Sequence, residues 1–228
     1  MLLDQLHEFM IHGCRSPAYS SIVGGGANAC ILHYTENDAE LRDGDLLLID
    51  AGAESEGYAA DITRTFPVNG RFNKEQKIIY EIVLAAQLAA INQVKPGKSW
   101  QAPHNAAVRK LTEGLKKEGI LKGPLETLIK NESYKRFYIH RTGHWLGMDV
   151  HDVGDYQING KWRTLKPGMT LTVEPGLYIP AKSKGVAKKW WDIAVRIEDD
   201  VLVTKTGCDV LSKAAPKTTE AIEKLMAR

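Results

Sequence analysis

The chain has 228 residues, 43% of them hydrophobic and 25% charged, ordinary proportions for one globular domain. Thirty basic against 28 acidic side chains leave a net charge of +2, with no basic stripe to hold nucleic acid. No apolar run approaches the roughly 18 residues of a membrane span. Cys14, Cys30 and Cys208 lie far apart, which disfavours a disulfide framework and fits a reducing, cytoplasmic setting.

In chain order, Leu2, Leu3, Leu6, Phe9 and Met10 recur at helical spacing, and Gly13 is placed to end that helix. No capping residue precedes the pattern. Residues 1–13 therefore read as the remnant of an interdomain helix, with a further domain upstream in a larger parent protein. SSIVGGGANACILHYT (20–35) predicts a glycine loop leading into a strand. LLLIDAG (46–52) predicts a strand, and DITRTFPV (61–68) its antiparallel partner. Asn73 can cap a helix whose one face carries Ile78, Ile79, Ile82, Val83, Ala86 and Ala90. KPGKS breaks it, Ser99 is placed to cap a second helix running to about Gly119, and GPLETLIKN predicts a short third. FYIHRTGHWLGMDVHDVG (137–154) follows, then the strand TLTVEPGLYI (170–179) and a solvated lysine loop at 182–189. The strand AVRIEDDVLVT (194–204) and a helix from about Thr218 close the chain. Long helices mixed with antiparallel strands predict an α+β fold for residues 1–228.

LRDGDLLLIDAG (41–52) can be set over LKPGMTLTVEPG (165–176) without a gap, at a constant offset of 124. Gly44 falls on Gly168, Leu47 on Leu171, and Asp50 on Glu174. Each copy runs on to a second acid after TR or VR, Asp61 near the first and Glu198 after the second. The repeat predicts two half-domains related by a pseudo-two-fold axis, each sending two carboxylates to a central crevice.

Four converging carboxylates cannot all stay ionised unaided. Raised pKa values can relieve them; two divalent cations relieve them better, given a nitrogen ligand from His140, His144 or His151. Each residue alone admits a plain account: Asp50 as a turn cap, Glu174 as a rim acid, IEDD as a solvated strand end, His144 as a core histidine. Together, on apolar strands in a repeated register, they point to metal. An oxygen-rich set with imidazole and no thiolate suits manganese, cobalt or zinc.

DAGAESEGYAADITRTFPVNG, HWLGMDVHDVG, LTVEPGLYIP and VRIEDD resemble the catalytic domain of the pita-bread metallopeptidases, in their aminopeptidase P branch. The resemblance runs from about Gly13 to the last helix. It implies two pseudo-symmetric αβ halves with a curved antiparallel sheet and outer helices. It also implies hydrolysis of the N-terminal Xaa-Pro bond by a water or hydroxide held between two cations, manganese foremost. Asp50 would bind one cation, Asp61 and Glu198 would bridge the pair, and His144 and Glu174 would complete the ligand set of the second cation. Glu174 would shuttle the proton. His33, on what looks like the substrate-side strand NACILHYTEN, would contact substrate together with His140 and His151, with Tyr178 and Arg196 in support. The expected partner is a peptide with proline second, with a homo-oligomer left open. Arg141 stands where members usually carry glycine, and the 181–192 loop with Trp190 and Trp191 departs from the pattern. Since the N-terminal domain of that branch has no counterpart here, the resemblance implies metal binding with weak turnover. Prolidase and methionine aminopeptidase are the rivals within the fold, and a metal-free peptide-binding module is the rival outside catalysis.

Overall fold

In the computed structural model, which describes residues 2–227, α1 (Leu2–Ile11) opens the chain and Gly13 follows with φ +80°. Next come β1 (Ser16–Pro17), β2 (Ile22–Gly25), β3 (Leu46–Ala51), β4 (Ala53–Ser55), β5 (Tyr58–Ala59) and β6 (Ile62–Pro67). β3 lies between β2 and β6, antiparallel to both, which bears out the pairing of LLLIDAG with DITRTFPV. β1, β4 and β5 make a separate small sheet. The expected order within 20–35 is reversed. Ile22 and Val23 bury themselves against β3, as β-branched residues favour. The glycines then turn the chain through a 3-10 segment, Gly26–Cys30, so His33 sits on a turn and not on a strand.

Asn73 caps α2 (Lys74–Ile91) in a reciprocal box: its side chain accepts from Gln76 N–H at 2.8 Å, and Gln76 Oε1 accepts from Asn73 N–H at 3.0 Å. α3 (Gln101–Lys117) starts one residue later than a Ser99 cap requires. Trp100 occupies the cap position, while the Ser99 hydroxyl accepts from Gln101 N–H at 3.2 Å. α4 (Leu125–Lys130) is the short third helix. Beyond it lie β7 (Gln157–Ile158), β8 (Lys161–Trp162), β9 (Thr170–Val173), β10 (Gly176–Ile179), β11 (Ile193–Arg196), β12 (Asp199–Val203), β13 (Cys208–Val210) and α5 (Thr219–Met226), which Thr218 caps.

Two segments expected as single strands are each broken in two. TLTVEPGLYI divides at Glu174-Pro175 into β9, which pairs with β12, and β10, which pairs with β11. Pro175 has no N–H to continue a ladder, so the chain changes sheets there. AVRIEDDVLVT divides at Ile197-Glu198, where the Glu198 N–H crosses to Thr63 O on β6 at 3.1 Å. Glu174 and Glu198 thus stand at sheet junctions.

The repeat survives in three dimensions along the first strand of each half. Gly44 (φ +87°) and Gly168 (φ +90°) occupy the same left-handed turn, which glycine adopts without a Cβ clash. Asp45 N–H reaches Arg42 O as Met169 N–H reaches Lys166 O. Along the second strand the register slips. Ile49 faces Arg64, whereas its mate Val173 faces Asp199. On that register the counterpart of Glu198 is Thr63, not Asp61, so the two acids reach the crevice from different positions.

α2 and α3 cover the strands of the second half. Their Val83, Leu111 and Leu115 join Leu171, Val173 and Leu177 in the main core, each such burial contributing about 1.5–3 kcal/mol. A smaller cluster, Ile22, Leu48, Tyr178 and Ala194, closes the seam between the halves. In the lysine loop, Trp190 and Val186 are buried in the main core. Trp190 and Trp191 do not line the central cavity.

Candidate metal centre

Asp50 sits on β3 and Asp61 immediately before β6, while Glu174 ends β9 and Glu198 precedes β12. His144 arrives on a loop laid against β9. Thr172 N–H donates to His144 O at 3.0 Å, and Glu174 N–H donates to Thr142 O at 2.8 Å. The approach is close enough that a Cβ on Gly143 would come within 2.0 Å of Thr172 O. Asp61, His144 and Glu198 each offer a ligand atom within 4.8 Å of the others. His144 Nε2 lies 3.2 Å from Asp61 and 3.8 Å from Glu174. Asp50 is held on the same wall by Arg196, which donates to Oδ2 at 2.6 Å.

Tyr19 joins the two aspartates. Its hydroxyl lies 2.5 Å from Asp50 Oδ1 and 2.7 Å from Asp61 Oδ1. One phenolic proton cannot serve both carboxylates, so a second proton or a cation must be shared there. Burial, reinforced by Asp61, Glu174 and Asp50, holds the Glu198 carboxyl well above its usual range. Burial pushes Glu174 up to about 7, against the pull of His144 and Arg196. Asp50 is likewise raised by burial, with Arg196 opposing. Burial opposes charging of His144 as well, yet its hydrogen bond to Asp61 and the charge of Glu174 lift it to about 9.

These residues fit divalent cations. Carboxylates kept neutral by crowding are groups that a dication would ionise. The His144 Nδ1–H donates to Trp145 O at 2.9 Å, fixing the tautomer and aiming Nε2 at the acids, as a metal-binding imidazole requires. Thr63 donates to Glu198 Oε2 at 2.6 Å, and the buried Asp200 accepts from Asp61 N–H at 3.2 Å. IEDD is therefore no solvated strand end, for Asp199 and Asp200 are both buried.

The remaining predicted residues divide. His33 and His151 line a cavity of about 1080 Å³ beside the acids, and the His151 ring stands 4.4 Å from His144. His140 lines it too, but both its nitrogens are engaged. Nδ1–H donates to Arg141 O at 2.8 Å, and Nε2 accepts from Tyr178 OH at 2.9 Å. Tyr178 in turn accepts from Arg196 at 2.9 Å, and burial with the Arg196 charge presses His140 down to about 3. Tyr178 and Arg196 are buried, with contacts to His140 and Asp50, and Arg196 also lines the cavity.

Tyr19 escaped the sequence reading because a tyrosine in SPAYSS carries no spacing signal. Tyr19→Phe is expected to weaken metal binding about 10- to 100-fold, the range for a lost supporting contact. Calorimetric titration with manganese measures it, and unchanged affinity would remove Tyr19 from the centre.

A crevice of four acids and one oriented imidazole between two repeated halves defines a metallohydrolase-type site. Residues 2–205 match metallopeptidase family M24, and the chain belongs to that family. It is 54% identical to a Haemophilus influenzae Xaa-Pro aminopeptidase over 98% of its own length and 51% of that protein's. It is 51% identical to an Escherichia coli Xaa-Pro aminopeptidase, over 96% and 49% respectively. Among solved structures, Pseudomonas aeruginosa aminopeptidase PepP superposes with a TM-score of 0.96 at 59% identity, covering 97% of this chain and 50% of that one. A variant of Escherichia coli aminopeptidase P in complex with substrate gives 0.94 at 50% identity, covering 97% and 50%. The chain spans about half the length of the curated relatives it matches. Its fold is the α+β pita-bread fold of these enzymes.

Proposed function

We propose that the chain is the catalytic domain of a metal-dependent aminopeptidase that hydrolyses the N-terminal Xaa-Pro bond of cytoplasmic peptides. The convergence of Asp61, His144 and Glu198 within 4.8 Å, with Asp50 and Glu174 beside them, carries this reading. The similarity to Xaa-Pro aminopeptidases supplies the preference for proline, and the three free cysteines support a reducing compartment. Two divalent cations, manganese foremost with cobalt or zinc as alternatives, would supply an ionised water near neutral pH and a Lewis acid for the scissile carbonyl. Asp50, Asp61, His144, Glu174 and Glu198 would hold them.

The chain's own groups do the rest. Glu174, 3.8 Å from His144 and 3.6 Å from His140, takes the proton of the nucleophile and returns it to the departing proline nitrogen. His33 and His151 face the same cavity as donors to the developing oxyanion. His140, neutral and held by Tyr178, packs beside Glu174 at 3.6 Å. Release rates from Met-Ala-, Xaa-Pro and Xaa-Pro-Yaa peptides test the reading. Cleavage of Xaa-Pro-Yaa alone supports it; preference for the dipeptide selects prolidase, preference for Met-Ala- selects methionine aminopeptidase, and no cleavage with retained peptide binding selects the non-catalytic module.

The metal-free centre has a pH signature. Glu174, raised to about 7, costs the fold stability as pH climbs above its unfolded value of roughly 4.3. His144, raised to about 9, contributes stability below roughly 6.5 that is lost as pH rises through 9. Both act in one direction. Chelator-treated protein should therefore melt at a lower Tm at pH 8 than at pH 5.5, and added manganese should raise Tm more at pH 8. A metal-free Tm that rises between those pH values would contradict this.

A further inference from the structure

Arg141 is the cationic group of the cavity that the proposed chemistry leaves unused. The cavity, at about 1080 Å³, exceeds what one reacting residue needs, and small-ligand sites span about 300–1,000 Å³. Besides the acids it is walled by Trp100, Tyr156 and Trp162, together with Arg141. Arg141 follows His140, which stands 3.6 Å from Glu174. The guanidinium therefore belongs to the same cavity wall as the reacting centre, in reach of a peptide that runs on from it.

Its setting is prepared but lacks an anion. The guanidinium lies over the Trp162 ring at 4.6 Å and donates one N–H to the neutral Gln101 Oε1. Among the described residues it forms no ion pair; Asp155, on the same wall, does not reach it. A planar fork oriented by an aromatic face, with donors to spare, matches a carboxylate bidentately. Arg196, the other arginine of this cavity, is buried and spent on Asp50.

We propose that Arg141 and Trp162 form a carboxylate-binding subsite for the leaving peptide, a specificity determinant for chains that carry a C-terminal or side-chain carboxylate just beyond proline. The inference rests on the peptidase reading for its direction along the substrate. The test is calorimetric titration of the manganese-loaded full chain with Pro-Leu-Leu as free acid, with its amide, and with Pro-Leu-Glu amide. At least one carboxylate-bearing peptide should bind about tenfold tighter than the neutral amide, the scale of a charge-assisted pair. In Arg141→Met that ratio should fall close to one, with Tm held because Arg141 is exposed. Whichever carboxylate peptide carries the advantage identifies the source. No difference in the wild type, no binding, or an advantage retained in Arg141→Met would overturn the subsite. Turnover of Ala-Pro-Leu is read separately. Absent hydrolysis with a preserved binding ratio sinks only the peptidase reading, and hydrolysis with equal binding sinks only the subsite.

Discussion

Asp61→Asn is expected to lower kcat/KM on Xaa-Pro-Yaa peptides by roughly 10³ or more, equivalent to about 4 kcal/mol of transition-state stabilisation. The carboxylate of Asp61 stands between Tyr19 and the imidazole of the centre. It receives Tyr19 at 2.7 Å and lies 3.2 Å from His144 Nε2, while its backbone N–H is held by Asp200. An amide keeps the volume but removes the charge that would face a cation, and its NH2 would point at a partner that needs an acceptor. Metal content after dialysis should fall together with activity. An Asp61→Asn protein that retained full metal and half the activity would mean that the centre is not where the geometry places it.

Arg64→Met is the second large effect, and it acts on stability. Arg64 is buried and donates to five acceptors on three segments: Thr63 O at 2.9 Å, Glu198 O at 2.5 Å, Asp199 Oδ1 at 2.7 Å, Ala215 O at 2.9 Å and Pro216 O at 3.0 Å. It thereby ties β6 of one half to the Glu198-Asp199 corner of the other. Removing it strands Asp199, which is fully buried, with Lys217 as its remaining cation at 2.6 Å. Breaking a buried pair this way costs about 3–5 kcal/mol, a fall in Tm of roughly 10 °C for a domain of this size. Asp199 is held below its usual carboxylate range, burial being outweighed by Arg64, Lys217 and Ser212. Its contribution is present above its unfolded pKa and is lost as pH falls below it. The Arg64→Met deficit should therefore shrink below about pH 4. A thermal melt series against pH checks both the size and the direction; an unchanged Tm at pH 7 would refute the tie.

How much of this was legible in the sequence differs by element. Asp50 and Glu174 were visible because an acid closing an apolar strand at a repeated offset has few innocent explanations, and the repeat carried the turn glycines with it. The helix cap at Asn73 was legible because its chemistry is local. The breaks at Glu174-Pro175 and Ile197-Glu198 were not read, although Pro175 stood in plain view. Apolar periodicity runs through both junctions, and only the crossing of Glu198 N–H to Thr63 fixes where the ladder ends. The two-residue slip that separates Asp61 from Glu198 depends on which residues face each other across strands, something one strand's pattern does not encode. Tyr19, Arg64 and Asp200 act through partners as far as 42, 152 and 139 positions away along the chain. Their roles belong to the packed halves and to no local motif.

The central claim is that these five side chains hold metal in the crevice between the repeated halves. Anomalous diffraction at the manganese edge, from crystals of the chain grown with manganese near pH 7.5, tests it most directly. Anomalous density is expected enclosed by Asp50, Asp61, His144, Glu174 and Glu198, with the His144 Nδ1 still turned to Trp145 O. Manganese bound elsewhere, or a crevice without anomalous density under those conditions, would contradict it.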